Sequence, residues 1–124
     1  MKNIVKFGMI ALFTLTIGCG SNKLKGEGNK FMEALKESDA ESSFVMLDLS
    51  VQREVGGMEG WKTWIENRKP LKWEFTGFEV KTEGTGLLTG NADFSTGQNL
   101  EVELGFIKVE DNWKVTMVNF KSDK

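Results

Sequence analysis

The feature that most constrains the fold is a series of alternating apolar segments whose phase changes midway. In "LKWEFTGFEVK" the apolar positions are Leu71, Trp73 and Phe75, but beyond Gly77 they shift by one residue. The segments "LEVELGFIKV" and "WKVTMVNF" slip in the same way, near Phe106 and Met117 respectively. One extra residue in a strand produces such a slip, and the resulting β-bulge bends the strand. With "LLTGNADF" these segments predict a strongly curved, four-stranded antiparallel sheet.

The first half of the chain has helical periodicity instead. Asn29 is predicted to cap a first helix, and Ser38 or Asp39 a second one. In "MEGWKTWIENRK", Trp61 and Trp64 lie on one helical face, and the only proline follows shortly after. Helices followed by an antiparallel meander define an α+β fold. We therefore expect amino-terminal helices packed against the curved sheet in a cone-like arrangement.

The amino terminus is typical of an export signal. A short basic stretch precedes an apolar run over residues 7–17, which falls short of the ~20 residues that a membrane-spanning helix needs. Gly18 and Cys19, the only cysteine, follow at once. The motif "TIGC" resembles the signal of bacterial lipoproteins. This resemblance implies cleavage before Cys19, lipid on the Cys19 sulfur, and acylation of the new amino terminus, with palmitate as the expected acyl group.

These features divide the chain into three parts. Residues 1–18 are predicted to be the signal peptide, residues 19–28 a flexible linker rich in glycine and polar residues, and residues 29–124 a single α+β domain. The lipoprotein resemblance implies a bacterial envelope protein held on the membrane through Cys19. Gly20 stands where an inner-membrane retention signal carries Asp, so an outer-membrane position facing the periplasm is expected in a Gram-negative cell.

The composition narrows the chemistry available to the chain. Eighteen acidic residues outnumber 16 basic ones, which disfavours a nucleic-acid partner because such proteins present a basic face. Histidine and tyrosine are absent. Without histidine, and with the one cysteine assigned to lipid, no metal site is expected. No phosphate-binding loop or other cofactor motif is recognisable, so no cofactor is predicted.

Three segments together point to a known superfamily. The helix with "ALKESDAESSFVMLD", the short helix with "GWKTWIE" and the closing strand "EDNWKVTMVNF" resemble the nuclear-transport-factor-two-like superfamily, also called SnoaL-like or cystatin-like. The closest likeness is to its small secreted lipoproteins of unknown function. Enzymes of this superfamily pair an acidic base with tyrosine or histidine, which this chain lacks. Glu74, Glu79 and Asp93 are strand carboxylates that could act as a lone base, although exposure is expected for each.

Tryptophans are the best candidates for a ligand site. Trp64, Trp73 and Trp113 are predicted to line the mouth of the cone and to contact an apolar ligand, with core packing as the competing interpretation. The leading hypothesis is a non-catalytic module that binds a small apolar ligand or an envelope protein. A small isomerase-type or hydrolase-type enzyme with a pocket carboxylate remains an alternative. A structural homodimer is a third, through a sheet face whose alternating residues are mostly polar.

Overall fold

The computed structural model of the chain describes residues 16–122, with side chains from Lys23 onward. Four helices come first: α1 (Thr16–Lys36), α2 (Ala40–Val45), α3 (Leu49–Glu54) and α4 (Gly57–Ile65). They are followed by β1 (Pro70–Val80), β2 (Thr85–Phe94), β3 (Asn99–Val109) and β4 (Asn112–Lys121). The strands form one antiparallel sheet in the order β1-β2-β3-β4. The predicted α+β arrangement, helices against a curved four-stranded sheet, is confirmed.

A bulge in β1 lies where the sequence predicted it. Phe75 pairs with Gly90 and Gly77 pairs with Thr89, so Thr76 is an extra residue on β1. Gly90 is needed opposite the bulge, because a side chain there would collide with the backbone carbonyl of residue 74. A second irregularity at the very start of β1 was not predicted from the sequence.

A second bulge belongs to β4. Gly105 pairs with Met117 while Phe106 pairs with Val115, which leaves Thr116 as the extra residue. The predicted irregularities near Phe106 and Met117 are therefore one bulge, seen from two neighbouring strands. The expected slip within β3 itself is wrong, since β3 pairs with β2 without any shift. Bulges on both edge strands bend the sheet around the helices and give the cone-like shape.

The core lies between α1 and the concave face of the sheet. Its largest fully buried side chains come from α1, the α2–α3 connection, α4 and all of the strands. They are Leu24, Phe31, Met32, Leu35, Leu47, Trp61, Pro70, Leu88, Val102, Leu104, Phe106 and Val115. On β2, Leu88, Ala92 and Phe94 lie an even number of residues apart and are all buried.

The expected linker differs from the structure. Residues 19–28 are helical and belong to α1, and Leu24 is completely buried against Gly86 of β2. The prediction of a flexible linker is wrong from Leu24 onward, because packing against the sheet outweighs the low helix propensity of this glycine-rich stretch. Asn29 lies within α1 and is no cap; its Oδ1 accepts a hydrogen bond from Trp73 Nε1 at 3.0 Å. Most of the predicted signal peptide lies outside the described residues.

The second helix is capped as predicted. Asp39 is the N-cap of α2, and its Oδ1 accepts a hydrogen bond from the Ser42 backbone N–H at 3.1 Å. Ser38, the other candidate, adopts a positive φ of 59° in the preceding turn. A carboxylate at the cap satisfies a backbone donor that the first helical turn would otherwise leave unpaired.

Gly28 allows α1 to approach the sheet closely. A Cβ atom at this position would overlap Leu88 Cδ1 and lie 3.1 Å from Phe75 Cε2, whereas a Cβ at Gly26 would meet nothing within 4 Å. Leu88 is fully buried and cannot move aside freely. Substitution of Gly28 therefore measures the cost of crowding the sheet, whereas substitution of Gly26 measures only the low intrinsic helix propensity of glycine.

We predict opposite effects for Gly28→Ala and Gly26→Ala. Gly28→Ala should lower the free energy of unfolding by about 1–3 kcal/mol through overpacking. Gly26→Ala should raise it by about 0.5–1 kcal/mol, because alanine is the better helix former at an open position. Urea denaturation of the two variants checks both signs. Destabilisation of similar size in both would contradict a helix that packs through Gly28.

Candidate functional site

A cleft of about 500 Å³ lies between the helices and the bulged edge of the sheet. Helices α3 and α4 form one wall and β4 forms the other. The lining is mostly apolar and comprises Val51, Glu54, Val55, Gly60, Trp61, Trp64, Thr116, Met117 and Val118. The β4 wall coincides with the bulge at Thr116, so the irregularity that curves the sheet also shapes this cleft.

Trp64 is the most strongly braced aromatic group of the cleft. Its ring stacks on Trp61 with centroids 5.2 Å apart and an interplanar angle of 9°. The Arg68 guanidinium lies 4.4 Å from the Trp64 ring centroid, and Arg68 Nη1 donates a hydrogen bond to the Trp64 carbonyl at 2.6 Å. Phe120 of β4 packs against the same ring at 5.8 Å. This half-buried ring is therefore held in place before any ligand arrives.

Trp61 forms the buried floor of the cleft. Its Nε1–H donates a hydrogen bond to Ser43 Oγ at 2.8 Å, and the Ser43 hydroxyl donates in turn to the Asp39 carbonyl at 2.9 Å. Ser43 is the buried polar side chain of the described residues, and these bonds satisfy it. Because its polar atom already has a partner inside the protein, Trp61 offers the cleft only an apolar surface.

Backbone hydrogen bonds fix α3 against β4. Asp48 N–H donates to the Val115 carbonyl at 2.8 Å, and Val115 N–H donates to the Met46 carbonyl at 2.8 Å. Asp48 also caps α3, since its Oδ2 accepts from the Ser50 hydroxyl at 2.7 Å and from the Ser50 N–H at 3.2 Å. These contacts set the distance between the two walls of the cleft.

The three tryptophans predicted as pocket residues do not converge. Trp64 lines the cleft just described. Trp113 is buried and packs edge-on against Phe106, and it borders a separate, smaller depression of about 340 Å³ beside α1. Trp73 is half-buried and donates its Nε1–H to Asn29. Trp61 was missed as a cleft residue, although its position three residues before Trp64 indicated a shared helical face.

The carboxylates considered as a lone base lie elsewhere. Glu74, Glu79 and Asp93 are all exposed on the strands, and Asp93 Oδ1 accepts a hydrogen bond from Asn99 Nδ2 at 2.7 Å. Glu54, at the exposed end of α3, is the carboxylate in the cleft lining.

Metal-binding clusters and membrane-spanning helices are both absent from the part of the chain that the structure describes. Within residues 16–122, no cluster of histidine, cysteine, aspartate and glutamate side chains is arranged to hold a metal ion. None of the helices in that range is both long and apolar enough to cross a membrane. The side chain of Cys19, the predicted lipidation site, lies outside the described side chains.

Solved structures share this architecture. One is an NTF-2-like protein of unknown function from Shewanella oneidensis, with a TM-score of 0.64 and 15% identity over 83% of this chain and 99% of that one. Another is a DUF4783 family protein from Bacteroides uniformis, with a TM-score of 0.58 and 14% identity over 77% of this chain and 96% of that one. No family model and no curated protein matches the sequence. The chain therefore has an NTF-2-like fold, which by itself assigns no activity.

The Asp48 cap makes the cleft wall sensitive to acid. The Ser50 hydroxyl and backbone N–H hold the pKa of Asp48 below its ordinary value of 3.8, with a smaller contribution from Lys114. A lowered folded-state pKa means that the cap stabilises the protein above the ordinary pKa and loses this effect as the pH falls through the folded value.

We predict that Asp48→Ala lowers the free energy of unfolding by about 1 kcal/mol at neutral pH, as loss of a helix cap does. The gap between wild type and variant should close once the pH falls well below 3.8. Urea denaturation over a pH series measures it. Ser50→Ala, which removes only the hydroxyl, should show a smaller gap, and a gap that persists in acid would argue against the carboxylate cap.

Proposed function

We propose that this chain is a lipid-anchored protein of the bacterial envelope whose NTF-2-like domain binds a small apolar ligand without catalysing a reaction. The cleft between α3, α4 and β4 is the observation that carries the binding proposal. The "TIGC" motif at residues 16–19 supports the anchor. In a Gram-negative cell, Gly20 after the lipidated cysteine favours the outer membrane, with the domain in the periplasm.

The character of the cleft supports an apolar ligand of modest size. Its volume of about 500 Å³ falls within the range of small-molecule sites, roughly 300–1,000 Å³. Stacked Trp61 and Trp64 present a flat, rigid surface, and Val118 adds an apolar side chain from the β4 wall. A preformed aromatic wall lowers the entropy cost of binding, because few side chains must be ordered. A protein partner that inserts one apolar side chain into the cleft is the alternative occupant.

We predict that Val118→Ser weakens binding of an apolar probe about tenfold, since losing the valine contact costs about 1.5 kcal/mol and 1.4 kcal/mol is one decade in affinity. The probe is 1-anilinonaphthalene-8-sulfonate, followed by energy transfer from tryptophan in the Cys19→Ser protein, which avoids detergent. Leu71→Ser is the matched control, because Leu71 is an apolar strand residue that lies on β1, outside the cleft. An equal loss in both variants would rule the cleft out as the probe site.

Glu54→Gln separates binding from catalysis in the same assay. If the domain only binds, this change should leave both probe affinity and the cellular phenotype of the protein intact. If the phenotype is lost while probe affinity and melting temperature stay unchanged, a small enzyme of the isomerase or hydrolase type, with Glu54 as its acid or base, replaces our proposal.

We predict that Cys19→Ser abolishes lipid modification and releases the protein from the membrane fraction. The chain has no other cysteine that could take the lipid, and anchoring by two or more acyl chains is stable where one chain is marginal. Incorporation of labelled palmitate and mass spectrometry of the amino-terminal peptide measure the modification. Ser21→Ala, two residues away, is the control and should stay lipidated. An unmodified Cys19 in protein extracted from membranes would refute the anchor.

A further inference from the structure

The start of α1 lies at one particular end of the domain. Leu24 packs beside Gly86 at the start of β2, where a Cβ on Gly86 would lie 2.9 Å from Leu24 Cδ2 and 3.5 Å from Trp113 Cζ3. From there α1 runs past Phe75 towards Trp73, antiparallel to β1. The β1–β2 turn at residues 81–84 and the β3–β4 turn at residues 110–111 lie at this same end, which we call the hairpin end.

The spacer between Cys19 and the folded domain is short. Leu24 is already buried, so only residues 20–23 separate it from the predicted lipid attachment site. As helix this step spans about 7.5 Å, and even fully extended it reaches only about 17 Å. By comparison, the 11 residues of β1 measure about 36 Å from end to end. A lipid on Cys19 therefore brings the hairpin end to the bilayer and leaves the opposite end away from it.

Exposed apolar side chains collect at the hairpin end. Val80, 40% exposed, pairs with Gly86 and lies on the same sheet face as Leu24, with exposed Phe78 two residues earlier. Val109, 42% exposed, is the last residue of β3 before the turn. Val45 is also exposed. It lies at the hairpin end, since its carbonyl accepts a hydrogen bond from Lys114 Nζ near the start of β4. These side chains surround the point at which the chain leaves for Cys19.

Charge at the hairpin end is close to balanced. Five lysines face four carboxylates there: Lys23, Lys30, Lys81, Lys108 and Lys114 against Glu27, Glu83, Glu110 and Asp111. A surface of this kind gains little from anionic lipid, since its cations are almost fully offset. Its valines and phenylalanine instead suit the boundary between headgroups and acyl chains, where apolar burial supplies the binding energy.

We propose that the hairpin end is a membrane-contact surface whose exposed Val45, Phe78, Val80 and Val109 lie against the bilayer interface. This inference rests on the proposed lipidation of Cys19. It adds a fixed orientation to the anchor: the domain lies directly on the membrane, with the opposite end of the sheet pointing into the aqueous compartment. Trp64 packs on Phe120, which packs on Phe94 at the opposite end, so the Trp64 side of the cleft lies towards the end away from the membrane.

Introduced cysteines test this orientation in the lipidated full-length protein. Lipid occupies the only native thiol, so Val80→Cys, Val109→Cys and Leu71→Cys each carry a single reactive sulfur. Leu71, 44% exposed, begins β1 at the opposite end and is the matched control. Each variant is labelled with an environment-sensitive nitrobenzoxadiazole fluorophore and reconstituted into phosphatidylcholine vesicles.

The hairpin-end labels should show blue-shifted emission and reduced quenching by iodide. The Leu71→Cys label should instead have the same emission and quenching as it has in the soluble Cys19→Ser/Leu71→Cys protein, measured without vesicles or detergent. Adding anionic lipid to the vesicles should not increase the shift. Equal iodide quenching at the hairpin end and at Leu71→Cys would overturn the membrane-contact surface while leaving the anchor intact. Labelling of otherwise wild-type protein at Cys19 would show a free thiol and would overturn both proposals together.

Discussion

The close packing of α1 across the concave face of the sheet is the contact on which the rest of the structure depends. It is possible because Gly28 has no side chain where the helix passes Leu88 and Phe75. On either side of this crossing, Leu24 and Phe31 are fully buried. A helix at this distance covers the β1–β2 half of the curved sheet, and α2 to α4 then need only close the remaining side. A larger residue at the crossing would push the helix outward and open the core.

The curvature of the sheet and the shape of the cleft both arise from bulges in the edge strands. Each edge strand carries an extra residue near its middle, Thr76 on β1 and Thr116 on β4, and both bend the sheet towards the helices. The bend on β4 also lets residues 116–118 form the wall that faces α3 and α4 across the cleft. The two walls are joined by the backbone bonds around Asp48, so the cleft is part of the folded framework and does not depend on a mobile loop.

The sheet could be predicted from the sequence because strand alternation is local. The phase slip around Gly77 can be recognised from neighbouring residues alone, and so can the slip in β4. The course of α1 depends on distant residues, since Leu24 and Gly28 are buried by packing against β1 and β2. Their spacing with Phe31 continues a helical stripe, but glycine and polar neighbours obscured it.

The site was harder to predict than the fold for a related reason. Alternation indicates which face of the sheet a residue occupies and does not indicate which end of the cone it reaches. Trp64 and Trp113 both belong with the helices and the concave face, yet they border different depressions. Trp73 turns its polar atom to α1 instead. Which tryptophan lines the cleft is decided by the three-dimensional packing of α4 beside β4, for which the sequence carries no local signal.

The bulge at Thr116 also affects how the domain tolerates the deletion of a single codon. The concave side of β4 carries Val115 before the bulge and Val118 and Phe120 after it. These residues share a face because the extra residue shifts the strand's alternation by one. Loss of that single codon would leave these side chains on the same face and remove only the bend. A codon lost between Val118 and Phe120 would instead turn Phe120 over to the other face. The shape of the cleft can therefore drift between descendants of this chain while the core beneath it stays the same.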